Sequence, residues 1–264
     1  MNKKQPNKDD SRPVILLTND DGVHAQGLET LSTALEPIAE IRIVAPDREK
    51  SGVSHAVTFH RPIRAQPVSN GTIVIDGTPT DCVLYGVLHF LDKRPDLVIS
   101  GINRGPNLGD DVTYSGTVAA AMEGALLRIP SMAVSIEGGS ERTFQIAAHF
   151  AKRFAEMILR EGLPPRTFLN VNVPDRPLEE IGGIRICRSG VRVYQDRLEE
   201  RSDPRGGKYF WLGGDEPTFV PEQNTDFDVL SNGMVAVTPL QLDWTNHVAV
   251  DHLRRWEDAS LWRI

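Results

Sequence analysis

From Val14 to about Pro174 the chain alternates short aliphatic runs with stretches whose apolar residues recur at helical spacing. That alternation constrains the fold more than any other feature. Val14-Ile15-Leu16-Leu17, Ile41-Arg42-Ile43-Val44-Ala45, Leu97-Val98-Ile99-Ser100 and Met132-Ala133-Val134-Ser135-Ile136 have strand length and almost no polar face, which suits strands covered on both sides. Between them, Leu28, Leu31, Leu35 and Ile38 mark one helix. Thr78-Pro79-Thr80-Asp81 opens another, with Thr as N-cap, Pro in the first position and an acid in the third. Its apolar face continues through Val83, Leu84, Val87, Leu88 and Leu91. Further helices run from Ser115 to Leu127, and through Ile146, Phe150, Phe154 and Ile158 to a stop near Gly162 and Pro164. Such a rhythm predicts an α/β fold with a mostly parallel, doubly wound sheet.

After Pro174 the rhythm changes. Ile184-Arg185-Ile186-Cys187 and Lys208-Tyr209-Phe210-Trp211-Leu212 read as strands, and the charged, turn-rich stretch from Asp196 to Gly207 lies between them. We expect an extended β excursion here. An aromatic-bearing hairpin has little of its own to pack on, so a partner subunit is one destination and the chain's own core is the other. Met234 to Pro239 returns to the sheet, and a short helix is expected around His252 to Trp262. The resulting division is a mobile polar tail over 1–12, a catalytic core over 13–180, a β-hairpin extension and oligomerisation arm over 181–232, and a returning strand with a C-terminal arm over 233–264.

The first strand breaks into Thr18-Asn19-Asp20-Asp21-Gly22. Open α/β sheets place their ligands at the carboxyl ends of strands. Two adjacent carboxylates there, with no Lys nearby to pair them, repel each other unless a cation intervenes. Three more small, polar, Gly-rich segments belong with them. They are Ser51-Gly52-Val53-Ser54-His55, the run from Gly101 through Asn103, Gly105, Asn107 and Gly109 to Asp111, and Ser115-Gly116-Thr117 at a helix start. A Ser hydroxyl and an Asn carbonyl add neutral oxygens to two carboxylates, which makes a hard-cation site suited to Mg²⁺ or Mn²⁺. Glycines 101, 105 and 109 are expected to let backbone N–H groups approach an anion, beside the positive end of the helix that starts at Ser115. Cation plus anion cradle implies phosphate. No Walker-type Gly-x-x-x-x-Gly-Lys-Ser/Thr run, no strand-end Asp-x-Asp and no Gly-x-Ser-x-Gly elbow is present.

Composition removes other classes. The formal net charge of −7 argues against a nucleic-acid coat, which needs a basic surface to displace counterions. Cys82 and Cys187 are far apart and form no zinc-ligand pattern, which suits a reducing cytoplasm. No apolar run reaches membrane-spanning length, and residues 1–10 lack the apolar stretch of a signal peptide. We therefore expect neither nucleic acid nor membrane as a partner.

Several ordered motifs resemble the SurE family of survival-protein nucleotidases. They are Leu17-Thr18-Asn19-Asp20-Asp21-Gly22, Ala45-Pro46-Asp47-Arg48 with Ser51-Gly52, and Gly77-Thr78-Pro79-Thr80-Asp81-Cys82. Ser100-Gly101-Ile102-Asn103 through Asn107-Leu108-Gly109-Asp110-Asp111 to Tyr114-Ser115-Gly116-Thr117 is similar too, as are Asn170-Val171-Asn172-Val173-Pro174 and Gly233 to Leu240. The resemblance runs from Val14 to roughly Leu242. It implies a Rossmann-like core and a phosphatase of nucleoside 5′- and 3′-monophosphates, with short polyphosphate as a further substrate. It implies one divalent metal ion held by Asp20, Asp21, Ser51 and Asn103, and a phosphate site lined by Asn107, Ser115, Gly116 and Thr117. It also implies a homodimer or homotetramer that exchanges the hairpin and C-terminal arm. Gln26 stands where a Pro is common, and His55-Ala56 occupies a variable stretch; both bear on substrate preference.

Asp20 and Asp21 are the candidate catalytic residues, as acceptors of a proton from attacking water. Direct attack by one of them on phosphorus is the other route, and the sequence does not separate the two. Asp110 and Asp111 read as structural, holding their loop through backbone N–H groups. His55 reads as a surface or substrate-lining residue and Arg104 as a solvated cation. The alternative to an enzyme is a metal-dependent nucleotide sensor that turns nothing over; its signature would be a lost ligand, and none is lost.

Overall fold

The structure is a computed structural model, and it describes residues 12–68, 71–194, 196–214 and 218–258. The chain opens with β1 (Val14–Thr18), α1 (Gln26–Leu35), β2 (Glu40–Pro46), β3 (Ala65–Pro67), β4 (Ile73–Ile75) and α2 (Pro79–Tyr85). Next come β5 (Leu97–Arg104), α3 (Gly116–Leu126), β6 (Ser131–Ile136), α4 (Glu141–Glu161) and β7 (Thr167–Val173). The last third holds β8 (Ile184–Ile186), β9 (Arg192–Val193), β10 (Asp196–Ser202), β11 (Lys208–Gly214), β12 (Thr218–Phe219), α5 (Asp226–Ser231), β13 (Val235–Gln241) and α6 (His247–Leu253).

Nine strands form one sheet in the order β3-β4-β2-β1-β5-β6-β7-β13-β8. All pairs are parallel except β3 with β4 and β7 with β13. The expected α/β architecture, doubly wound and mostly parallel, is what the chain adopts. Alternate residues of β1 serve opposite layers. Ile15 and Leu17 pack with Leu28, Leu31, Phe144 and Phe154 of α1 and α4, whereas Leu16 packs with Val44, Val83 and Ala120 on the side of α2 and α3. Each such fully buried aliphatic side chain contributes about 1.5–3 kcal/mol. With helices on both faces, the functional edge falls at the carboxyl ends of β1, β2 and β5.

The cap read from Thr78 is present: its hydroxyl accepts from the Asp81 N–H at 3.1 Å, and the Asp81 carboxylate accepts from the Thr78 N–H at 2.9 Å. The face expected beyond it shifts, because the helix widens to a π-helical turn over Gly86–Phe90 and leaves Leu88 70 % exposed. Several strands differ from expectation. β7 and the edge pair β3 and β4 escape the aliphatic pattern because polar residues occupy alternate positions or the strands are very short. The charged stretch from Asp196 becomes β10, paired in register with β11, since ladder hydrogen bonds do not require apolar side chains. β8, by contrast, joins the edge of the main sheet. The final helix begins at His247, earlier than expected, ends at Leu253 and tightens to a 3-10 turn over Arg254–Glu257; residues 259–262 of that expectation, and residues 1–11 of the polar tail, lie outside the described residues.

Candidate active site

β1 ends at Thr18, and the Asn19 amide closes the following turn by donating to the Gly22 carbonyl at 2.9 Å. Asp20 and Asp21 therefore sit on a turn, where neighbouring side chains are released from the opposed directions of a strand. The loop after β2 is tied to this turn by two backbone bonds. Lys50 N–H donates to the Asp20 carbonyl at 2.7 Å, and Val23 N–H to the Pro46 carbonyl at 2.9 Å. That pairing brings Ser51 alongside. Asn103 arrives from β5, whose ladder to β6 shifts register between Gly101 and Asn103. Gly101 has φ +133°, and a Cβ there would lie 2.3 Å from the Val134 carbonyl oxygen, so only glycine fits.

Asp20, Asp21, Ser51, Asn103, Asn107 and Ser115 line a single cleft of about 570 Å³. Gly116 and Thr117 stand behind it instead. A Cβ on Gly116 would lie 2.9 Å from the Asp20 Cβ, so the start of α3 packs directly on that carboxylate. Thr117 is fully buried, and its hydroxyl and N–H both support the Asp20 carboxylate. Ser115 caps α3 by accepting the Val118 N–H at 3.1 Å. The Thr117 and Val118 N–H groups at the start of α3 are thus taken by Asp20 and Ser115.

The glycine cradle expected from the sequence takes a different form. Gly105 N–H donates to the Ile136 carbonyl at 3.0 Å and Gly109 N–H to Asp226 Oδ2 at 2.8 Å. Both donors are consumed inside the fold, because a buried N–H must be paired. Asp110 and Asp111 are structural, but they hold a different segment from the one expected. Asp110 accepts the Arg192 N–H at 3.0 Å, while Asp111 pairs with the Arg192 guanidinium at 2.6 Å and accepts from the Tyr194 hydroxyl. They anchor the root of the hairpin excursion at the cleft rim. His55 faces Glu123 at 2.9 Å and lines a separate, apolar cavity of about 430 Å³ with Met122, Phe168 and Trp244. Arg104 lines the active cleft. So do Gln26, Tyr114 and Glu49, the last of which the sequence analysis passed over; Glu49 accepts from the Ser51 hydroxyl at 2.8 Å. An acid two residues before a candidate ligand was the available signal.

Burial pushes the Asp20 carboxyl above the usual range, against the opposing Thr117 hydrogen bonds. Asp21 is pushed up to about 6, first by burial and then by the charge of Asp20. The charge of Glu49 raises both carboxyls further.

Residues 15–196 match the family model described as survival protein SurE. The chain belongs to the SurE family. It is 49 % identical over 244 residues to the 5′-nucleotidase SurE of Geobacter sulfurreducens, covering 92 % of this chain and 93 % of that one. The 5′-nucleotidase SurE of Geobacter metallireducens is 46 % identical over 248 residues, with 94 % and 98 % covered. The crystal structure of the SurE protein from Aquifex aeolicus aligns with a TM-score of 0.82 at 43 % identity, over 93 % of this chain and all of that one.

The donor set of this SurE-family cleft fits a hard divalent cation. Among the described residues neither Asp20 nor Asp21 has an ion-pair partner within 4.0 Å; Thr117 for Asp20 and Arg104 for Asp21 offset the burial only in part, since both carboxyls stay above the usual range. Asn103 donates its Nδ2 to the Gly105 carbonyl at 2.7 Å, which leaves its side-chain oxygen as the free donor atom. No group of three or more His, Cys, Asp or Glu side chains able to hold a metal occurs among the described residues, so oxygen ligands of mixed charge are what the cleft offers.

Proposed function

We propose that this SurE-family chain is a metal-dependent phosphomonoesterase that hydrolyses nucleoside 5′-monophosphates, and 3′-monophosphates, to nucleoside and phosphate, with short-chain polyphosphate as a further substrate. The observation that carries the reading is the convergence of two unpaired carboxylates, a Ser hydroxyl and an Asn side chain from three loops, beside the amino end of α3. The names of the Geobacter relatives support the nucleotide assignment.

Asp20, Asp21, the Ser51 hydroxyl and the Asn103 side-chain oxygen would hold one Mg²⁺ or Mn²⁺. When bound, that ion supplies positive charge to phosphoryl oxygens and acidifies water. The chain's own groups do the rest. The Asn107 and Ser115 side chains, which line the cleft, bind the phosphate and orient it in line with its nucleophile. Asp21, half-buried at the cleft wall, accepts the proton that the attacking water gives up. Asp20, held by Thr117, keeps its orientation through the reaction.

The hairpin supports an oligomer. β10 and β11 form a separate two-stranded sheet, with Leu198 opposite Leu212 on one face and Trp211 on the other, each more than 60 % exposed. A lone ribbon of this kind is marginal in water, which favours a homodimer or homotetramer that exchanges these elements. No helix among the described residues is long and apolar enough to cross a membrane. Cys82 and Cys187 are free and buried, which supports a cytoplasmic setting.

The deciding experiment is phosphate release from AMP and p-nitrophenyl phosphate with Mg²⁺ or Mn²⁺. Activity lost in EDTA and restored by Mn²⁺ is expected. Tight nucleotide binding without release under any divalent ion would instead identify a sensor.

A further inference from the structure

Four buried polar side chains from three elements grip the loop that carries Asn107. Asn172 Oδ1 accepts the Asn107 N–H at 2.8 Å, and the Nδ2 groups of Asn170 and Asn172 both donate to the Asn107 carbonyl, at 2.8 and 3.0 Å. Ser135 Oγ accepts from the Asn107 Nδ2 at 2.8 Å. From α5, Asp226 accepts the Gly109 N–H on one carboxylate oxygen and the Gly190 N–H on the other, each at 2.8 Å. Ser135, Asn170, Asn172 and Asp226 are all fully buried.

Asn170 and Asn172 occupy alternate positions of β7, whereas Val171 and Val173 point into the opposite layer and join the main core. Apolar residues would be the cheaper choice at 170 and 172, since a buried amide that lacks full pairing costs free energy, and Asn170 Oδ1 has no partner among the described residues. The asparagines replace, for residue 107, the main-chain partners that a strand or helix would give. A loop held this way keeps one conformation without being part of any regular element.

We propose that Asn170, Asn172 and Asp226 are positioning residues that fix the Gly105–Gly109 loop, and with it the Asn107 side chain, for phosphate binding. The role rests on the phosphatase reading above for its catalytic consequence, but not for its structural one. In Asn172→Ala, which removes both an acceptor and a donor, we expect KM and the inhibition constant of inorganic phosphate to rise about 10- to 100-fold. The Mn²⁺ dissociation constant should stay within about twofold, because Asn172 bonds only the loop and no metal donor. Asn170→Ala removes one of two donors to a shared carbonyl, so its effect is smaller, and it serves where Asn172→Ala fails to fold. Asn172→Asp keeps the acceptor for the Asn107 N–H and recovers part of the loss.

Hydrogen exchange of a peptide spanning residues 105–111 reads the clamp independently of turnover. It should accelerate in Asn172→Ala and Asn170→Ala even if the wild type hydrolyses no phosphomonoester, which separates failure of this proposal from failure of the phosphatase reading. Unchanged exchange in a folded variant overturns the clamp. So does a lower melting temperature accompanied by unchanged KM and phosphate inhibition in an active enzyme.

Discussion

Thr117 donates its hydroxyl to the carboxylate of Asp20, a residue 97 positions earlier in the chain. The bond joins the start of α3 to the turn after β1 at the back of the cleft, between a fully buried Thr117 and an Asp20 that lines the cleft. It fixes the orientation of one candidate metal ligand while the other is left to the cleft. Thr117→Val keeps the shape and removes the donor. We expect Mn²⁺ affinity to fall about 10- to 100-fold, as outer-shell partners of metal ligands do. Calorimetric titration of the metal-free variant measures it; unchanged affinity would show that Asp20 needs no such support.

Asp21→Asn removes one of two carboxylates from the metal set and the proposed proton acceptor. Both metal affinity and kcat should drop, with kcat/KM lower by about 100-fold or more at limiting Mn²⁺. Steady-state kinetics across a Mn²⁺ series would show whether excess metal recovers turnover. Recovery to the wild-type rate would assign Asp21 to metal holding alone, and near-normal activity at limiting metal would remove it from the site.

The pH dependence of stability has a definite sign. Asp21 titrates near 6 in the folded, metal-free chain against 3.8 when unperturbed. Between those values the folded state keeps a proton that the unfolded state has released. The contribution of this group to stability is therefore full below the unfolded value and is lost as pH rises through about 6. A divalent ion competes for the same carboxylate, so saturating Mn²⁺ should turn the trend upward with pH. Thermal melts of wild type and Asp21→Asn between about pH 4 and 7, with and without Mn²⁺, test this. The variant should lose the Asp21 part of the metal-free slope.

Leu198 and Leu212 face each other across the hairpin, 68 % and 71 % exposed. Replacing both with Lys places two like charges at the centre of the proposed contact while leaving the ladder hydrogen bonds intact. Light scattering of Leu198→Lys/Leu212→Lys should report the 29.2 kDa single chain where the wild type reports a multiple. A wild-type mass of one chain would show that the hairpin is not an oligomer contact.

Much of the central sheet was readable because its strands are covered on both faces. Continuous aliphatic runs at residues 14, 41, 97 and 132 have no other common explanation. β7 was not readable in the same way, because Asn170 and Asn172 give it the alternation of a half-exposed strand although no residue of its last four is accessible. The cleft residues were legible from short motifs at strand ends, where a turn after each strand dictates small and polar residues. Thr117 was read as a phosphate contact, whereas its hydroxyl points to Asp20; sequence shows that a residue begins a helix, not which way its side chain turns. The destination of the glycine N–H groups was equally hidden. Gly109 is paired with Asp226, 117 residues later, and no local pattern announces a partner that distant.

The order of strands in the sheet has a consequence for synthesis. β13 slots between β7 and β8, the last strand made lying inside the finished sheet. Until Gln241 has left the ribosome, Phe168 to Asn172 present an open row of amide and carbonyl groups to the surrounding solution. A growing chain of this protein thus carries an adhesive flank that only its own late arrival can close, and slow translation through that last segment would lengthen the interval in which two nascent chains can stick together.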